Sequence, residues 1–331
     1  RVLSPLWEKV LLKPRRFSKI PEQFSSPVFS QDGKALYVGT SKGELWSITP
    51  AGQVIWKVSL KSPIHSTPLL IPARRLVVVG TIGGGLYGLD SRTGKRRWRF
   101  QAFGSFLGTP AYRDGVVYAA TSRNMLYAIT ADEGTLHWSR RHETLVGYTV
   151  RGHASPVLAG NELFLGLSDG RVMALDLRKR GSIIWTRPLE NAEDENDIGA
   201  DADAVIKGDT VYVATYRKGI TALERKTGDI LWRYPAYGVT SLTIRNDKLF
   251  FISPKDGVHC LSLGGKLRWK QDAELGTPSR IFLRGRRLLV TFDKAGIIAL
   301  DPKTGFFLQR FDSGSGVSGS VSIHGRKVAA Y

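Results

Sequence analysis

Short runs of apolar residues alternate with polar turns along almost the whole chain, and this alternation repeats seven times. The runs are rich in β-branched and aromatic residues and are separated by Gly, Asp, Asn and Pro, which is typical of strands joined by tight turns. No segment has both the length and the 3.6-residue period of a helix. The pattern therefore predicts an all-β chain in which each repeat forms one small antiparallel sheet.

The last turn of each repeat is the clearest part of the pattern, because it contains glycine in every copy and ends in tryptophan in six. The copies are SITPAGQVIW (47–56), GLDSRTGKRRW (88–98), AITADEGTLHW (128–138), ALDLRKRGSIIW (174–185), ALERKTGDILW (222–232), CLSLGGKLRW (260–269) and ALDPKTGFFLQ (299–309). Successive tryptophans are separated by 37 to 47 residues, the range for one four-stranded propeller blade. Each indole is expected to lie over the neighbouring blade.

We predict an eight-bladed β-propeller of four-stranded antiparallel blades, forming one domain over residues 1–331. An eighth, composite blade combines two strands from 317–331 with an outermost strand from 6–12 that carries Trp7. This pairing of the chain ends closes the ring and removes two free sheet edges. The seven other blades are predicted at approximately 25–60, 65–102, 107–142, 154–189, 201–236, 240–272 and 277–312.

The chain is strongly basic, with a formal net charge of +19. Its basic clusters fall at turns and outer strands of different repeats, so we expect the charge to be spread around the ring. A nucleic-acid groove concentrates positive charge on one face, so we predict no nucleic-acid partner. We expect instead a solvated surface that prefers anionic membranes or envelope polymers. No run approaches 18 apolar residues, and no transmembrane helix is predicted.

Two connections between repeats are longer than the others, namely 145–154 and 190–203. The second, ENAEDENDIGADAD, holds seven acidic residues and no basic one. Long loops on a rigid scaffold often carry function, so both are candidate recognition loops; the alternative for the acidic loop is that it only stays solvated. A calcium loop is not predicted, because Ile198 stands where the EF-hand pattern requires an oxygen ligand.

Residues suited to catalysis are not arranged for it. The six histidines show no HExxH motif or paired ligand spacing, and the single cysteine, Cys260, is expected to be a buried, inert thiol. The glycine-rich segment 80–85 leads into a strand rather than a helix, so it is predicted to be a hairpin turn and not a phosphate loop. We predict no enzymatic activity, no cofactor and no metal.

The repeat resembles that of a known family. The pattern Ala-x-Asp-x-x-Thr-Gly-x-x-x-Trp, almost intact at 88–98, 222–232 and 299–309, is similar to the quinoprotein-type (PQQ-like) propeller repeat. Quinoprotein alcohol dehydrogenases in this group are much longer, bind pyrroloquinoline quinone with calcium, and typically carry a vicinal cysteine pair. This chain has one cysteine, so the resemblance favours the other branch, the BamB family of outer-membrane assembly lipoproteins.

In the BamB family, two neighbouring inter-blade loops dock onto a POTRA domain of BamA. One carries apolar-x-apolar-Arg-Gly and the next an Asp-x-Asp pair. The resemblance places the first motif at Tyr148, Val150 and Arg151, and the second at Asp201 and Asp203. Tyr148 and Val150 stand where leucines are expected. A simpler alternative for Arg151 is that it only pins its own loop.

The resemblance implies a non-enzymatic scaffold in outer-membrane β-barrel assembly, at the periplasmic face of the outer membrane. It implies a lipid anchor outside the observed chain, a monomer within a complex, and contact with unfolded outer-membrane proteins as a further partner. Two other functions remain open at this point. One is a PQQ-dependent dehydrogenase-like or ligand-sensing propeller, and the other is an envelope propeller that binds an anionic polymer.

Overall fold

The computed structural model describes residues 25–142, 155–189, 202–215, 217–272, 276–312, 322–324 and 327–329. These residues form seven four-stranded antiparallel sheets and one two-stranded hairpin, and in every sheet the strands follow one another in chain order. The helical turns in these ranges are the short 3-10 segments Pro72–Arg74 and Leu177–Lys179. No helix in the described residues is long and apolar enough to cross a membrane.

The chain divides into two compact units. The first contains sheets 1 to 3 and the C-terminal hairpin. Sheet 1 consists of β1 (Val28–Phe29), β2 (Leu36–Gly39), β3 (Glu44–Ile48) and β4 (Val54–Ser59); sheet 2 of β5 (Leu69–Ile71), β6 (Leu76–Gly80), β7 (Gly85–Asp90) and β8 (Arg96–Gln101); sheet 3 of β9 (Ala111–Arg113), β10 (Val116–Ala120), β11 (Met125–Thr130) and β12 (Leu136–Arg141).

The second unit contains sheets 4 to 7. Sheet 4 consists of β13 (Val157–Ala159), β14 (Glu162–Gly166), β15 (Arg171–Asp176) and β16 (Ser182–Pro188); sheet 5 of β17 (Val205–Lys207), β18 (Thr210–Thr215), β19 (Gly219–Glu224) and β20 (Ile230–Tyr234); sheet 6 of β21 (Ser241–Arg245), β22 (Lys248–Ser253), β23 (Gly257–Ser262) and β24 (Leu267–Gln271); sheet 7 of β25 (Pro278–Arg284), β26 (Arg287–Phe292), β27 (Gly296–Leu300) and β28 (Phe307–Phe311).

The C-terminal hairpin consists of β29 (Ser322–His324) and β30 (Lys327–Ala329), the two strands expected within 317–331. It lies beside sheet 1, where the backbone N–H of Phe29 donates to Ser322 Oγ at 3.0 Å and the rings of Phe29 and His324 are 6.1 Å apart. The predicted outermost strand at 6–12 lies outside the described residues, so its pairing with this hairpin stays a prediction.

Burial follows the position of each strand within its sheet. The two middle strands are buried almost throughout, as in β6 and β7, and their side chains form clusters between consecutive sheets. Each of the outermost strands β4, β8 and β12 has one buried residue near its middle, and the residues on either side of it are largely exposed. In β4, for example, Trp56 is buried while the preceding Val54 and Ile55 are exposed, because the indole packs against residues of the next sheet.

Within each unit, the central indole of one sheet covers the last turn of the following sheet. The Nε1–H of Trp185 donates to the carbonyl of Arg225 at 2.8 Å, and a Cβ on Gly228 would lie 2.6 Å from the Trp185 ring. The same arrangement joins Trp98 to the turn of Gly134. These glycines have φ near +70°, which L-residues with side chains adopt only at a cost. The glycine of one repeat therefore contacts the tryptophan of the preceding repeat, and this contact joins consecutive sheets.

One position in the core of the second unit carries a histidine. His259 in β23 is 3% exposed and stacks on Phe251 with ring centroids 4.6 Å apart. Burial, reinforced by the nearby positive charge of Lys270, lowers the pKa of His259 to about 4. The ring is therefore neutral in the folded protein at neutral pH.

We predict that replacing Gly228 with alanine costs more than the same change at Gly208. Gly208 also has a positive φ, of 58°, but has nothing within 4 Å of its added Cβ. We expect Gly208→Ala to lower the free energy of unfolding by about 1 kcal/mol through backbone strain. Gly228→Ala should lose roughly 1–3 kcal/mol more, because the Trp185 ring must move. Chemical denaturation measures the free energy of unfolding of both variants. Equal losses would show that the Trp185 ring can be accommodated next to a residue with a side chain.

His259 should make stability depend on pH between about 6.5, its usual pKa, and about 4. The folded state favours the neutral ring, so this stability is fully present above the unfolded pKa and is lost as pH falls through the folded one. The loss at the acid end of this window should be about 3 kcal/mol. His259→Met, which copies Met173 at the equivalent position of sheet 4, should flatten the unfolding profile there. If the free energy of unfolding of that variant still falls with pH as steeply as that of the parent, His259 is not the group responsible.

Candidate partner-binding site

The residues that precede the two long connections both contact one turn of sheet 4. This turn, residues 167–170, joins β14 to β15. His142, which follows β12, places its Nε2 3.1 Å from Asp169 Oδ2, and both side chains are mostly buried. Leu189, which follows β16, donates its N–H to the carbonyl of Gly170 at 3.0 Å and is itself buried. The residues that lead into both connections are thus held at the same turn.

Asp169 is the centre of this anchor. Its Oδ1 accepts the backbone N–H of Arg171 at 3.2 Å, and its Oδ2 lies 3.5 Å from the Arg171 guanidinium in addition to the contact with His142. A carboxylate that holds several donors at once fixes its turn. The Ser-Asp-Gly turn of sheet 4 is therefore held by its own carboxylate, and it contacts the residues that lead into both connections.

The far ends of the two connections meet each other. Asp203 closes the second connection, and its Oδ1 accepts the backbone N–H of Ser155, which closes the first, at 2.6 Å. Asp203 is exposed, whereas its neighbours Ala202 and Ala204 are buried. The alanines pack into the core and turn the carboxylate outward to the surface, where it ties the two loop ends together.

The structure describes one of the five predicted site residues. Tyr148, Val150, Arg151 and Asp201 lie outside the described residues, so their assignment stays a prediction. Asp203 lies where the described ends of the two connections meet, and its Oδ1 accepts the hydrogen bond from the Ser155 N–H. The structure thus brings together the ends of the segments that carry the two predicted motifs.

Sequence reasoning did not identify the anchoring residues His142, Asp169, Leu189 and Ser155. Each looks like an ordinary loop or strand-end residue, and the contacts that join them link positions 19 to 48 residues apart. Their positions in the sequence were the only indication, because all four lie next to the long connections or in the neighbouring turn of sheet 4. The arrangement places the described ends of the two connections next to each other.

The described residues contain no group of three or more His, Cys, Asp or Glu side chains placed to hold a metal ion. Cys260 is free and buried, as predicted, and burial raises the pKa of its thiol to about 11. A thiol with that pKa is protonated at neutral pH and is a poor nucleophile. The segment 80–85 forms the turn between β6 and β7, which confirms the predicted hairpin.

Comparison of the sequence with known families gives a consistent match. The family model of "Outer membrane protein assembly factor BamB" matches residues 48–271. The BamB of Yersinia pestis is 26% identical over 254 residues, which cover 72% of this chain and 64% of that protein. The BamB of Nitrosomonas eutropha is 24% identical over 323 residues, which cover 95% of this chain and 76% of that protein. The match thus spans a little under two thirds of the Yersinia relative.

Solved structures show the same fold. BamB from Moraxella catarrhalis superimposes with a TM-score of 0.78 at 20% identity, covering 94% of this chain and 91% of that one. The quinohemoprotein alcohol dehydrogenase from Comamonas testosteroni reaches a TM-score of 0.72 at 13% identity, covering 90% of this chain and 68% of that one. Both likenesses concern the fold, and they confirm the predicted all-β architecture of repeated four-stranded antiparallel sheets.

Proposed function

Because the chain belongs to the BamB family of outer-membrane protein assembly factors, we propose that it is a non-enzymatic scaffold subunit of the outer-membrane β-barrel assembly machinery. It acts at the periplasmic face of the outer membrane and binds a POTRA domain of BamA. The observation that supports this partner site is the hydrogen bond from Ser155 to Asp203, because it holds the ends of the two candidate loops side by side.

The residues of the first loop supply most of the binding energy in this proposal. In an extended segment, Tyr148 and Val150 alternate with Thr149 and so point the same way, presenting an apolar ridge. Arg151 follows with five N–H donors for carboxylates or carbonyls of the partner. Aromatic and arginine side chains carry a disproportionate share of interface energy.

The second loop supplies orientation. Asp201 and Asp203 attract basic or N–H groups of the partner, and such charges act more on approach and specificity than on affinity. Asp203 has a second task, since it already tethers Ser155. The shared anchor at residues 167–170 fixes the starts of both loops, so less conformational entropy is lost when the partner binds.

We predict that Arg151→Ala and Tyr148→Ala each weaken binding to the purified POTRA region of BamA by about 2 kcal/mol, or roughly 30-fold in Kd. Arg96→Ala, which removes an exposed arginine from β8, is the matched control and should bind like the parent. Calorimetric titration measures the affinities once each variant has been shown to melt like the parent. If Arg151→Ala folds normally and binds within about twofold of the parent, the assigned site is wrong.

Substitutions of Asp203 can distinguish the effect of its hydrogen bond to Ser155 from the effect of its negative charge. Asp203→Asn keeps an oxygen that can accept the Ser155 N–H, while Asp203→Ala removes it. The same titration should therefore show a larger loss for Asp203→Ala than for Asp203→Asn, and the double Asp201/Asp203→Ala variant should lose most. Asp209→Ala, an exposed aspartate in the first turn of sheet 5, is the control. Equal affinities for all four variants would remove the second loop from the interface.

A further inference from the structure

A surface of sheets 6 and 7, remote in sequence from the two recognition loops, combines positive charge with exposed aromatic rings. In a meander of four strands, the turn between the first and second strands and the turn between the third and fourth lie at the same end of the sheet. For sheets 6 and 7 these turns are residues 245–248, 262–268, 284–287 and 300–306. We call this the aromatic-basic surface.

The aromatic-basic surface is continuous across the two sheets. The guanidinium of Arg245 donates to the carbonyl of Gly285, which joins the first turns. Lys248 Nζ and Trp269 Nε1 both donate to the carbonyl of Pro302 at 3.4 Å, which joins sheet 6 to the last turn of sheet 7. The charges and rings of the four turns therefore belong to one surface.

Positive charge dominates this surface. Its acidic residues are Asp247 and Asp301, and the carboxylate of Asp301 accepts the N–H of Lys303 within its own turn. Its eight basic residues are Arg245, Lys248, Lys266, Arg268, Arg284, Arg286, Arg287 and Lys303. At the opposite end of the same sheets, the turns at 253–257 and 292–296 carry two acidic and two basic residues, so these turns have no positive excess.

Large apolar side chains stand out from the same surface. Phe306 is 67% exposed and Leu267 49%, and Phe307, the first residue of β28 next to the last turn, is 55% exposed. Sheet 5 has an equivalent exposed pair, Ile230 and Leu231, but its turns at 207–210 and 224–229 carry three acidic and three basic residues. The combination of protruding phenylalanines with a strong positive excess is therefore a property of sheets 6 and 7 and is not shared by sheet 5.

We propose that the aromatic-basic surface binds a membrane surface that bears anionic phospholipid headgroups. Basic residues near such a surface are each attracted to it, and exposed apolar side chains enter the boundary between headgroups and acyl chains. A soluble anionic polymer would engage the charges but would leave the phenylalanines in water. The inference concerns residues outside 143–203 and does not depend on the BamA site.

The test is co-sedimentation of the full chain with vesicles of phosphatidylcholine, alone or mixed with phosphatidylglycerol. The parent should bind the mixed vesicles and not the neutral ones, and salt should weaken the binding. The double variant Arg286→Glu/Lys303→Glu should lower the partition coefficient roughly tenfold or more. Lys255→Glu/Lys294→Glu makes the same change of net charge at the opposite end of these sheets and should bind within about twofold of the parent, because binding depends on local charge.

The apolar contribution has its own matched pair. Phe306→Ser/Phe307→Ser should lower the partition coefficient at least roughly fivefold, while Ile230→Ser/Leu231→Ser on sheet 5 should have little effect. Failure of the parent to bind the mixed vesicles, or equal losses in the test and control variants, would overturn the proposal. So would a phenylalanine variant that binds like the parent, since this would identify a surface for a soluble polyanion. Affinity for the POTRA region, measured in parallel, should be unchanged in all four variants.

Discussion

Within each unit, the contact between an outermost-strand tryptophan and the glycine turn of the following sheet is the interaction on which the repeated architecture depends. It links strands whose backbone ladders are confined to their own sheets, and it buries the indole on a strand whose other residues are largely exposed. The indole contributes apolar burial worth roughly 1.5–3 kcal/mol, and its Nε1–H satisfies a turn carbonyl, as between Trp232 and Leu263 at 3.0 Å. Glycine is required beneath it for both space and φ.

This dependence explains why the sequence predicts the sheets so well. Tryptophan, glycine and the alternating strands are local signals with a fixed spacing, so the first blade, predicted at approximately 25–60, contains all four strands of sheet 1, β1 to β4. The seventh copy has Gln309 in the tryptophan position and still forms β28, and its glycine turn at Gly305 is covered by Trp269 from sheet 6 as in the other copies.

The residues that were not predictable depend on contacts between distant segments. The bond between Ser155 and Asp203 and the pair His142 and Asp169 join loops whose sequences carry no common pattern. The neutral state of His259 follows from burial against Phe251, which its strand pattern alone does not reveal. The basic clusters lie in different repeats, as expected, and strand order brings the basic turns of sheets 6 and 7 to the same end of those sheets.

The proposed scaffold role requires the two long connections next to sheet 4 to meet BamA. Site-specific photo-cross-linking in intact bacterial envelopes can detect this contact, with the cross-linking residue placed at position 150 in the first loop or at position 286 on the aromatic-basic surface. We expect a covalent adduct between position 150 and the POTRA region of BamA, identified by mass, and no BamA adduct from position 286. An adduct to BamA from position 286, with none from position 150, would show that BamA binds elsewhere on the chain.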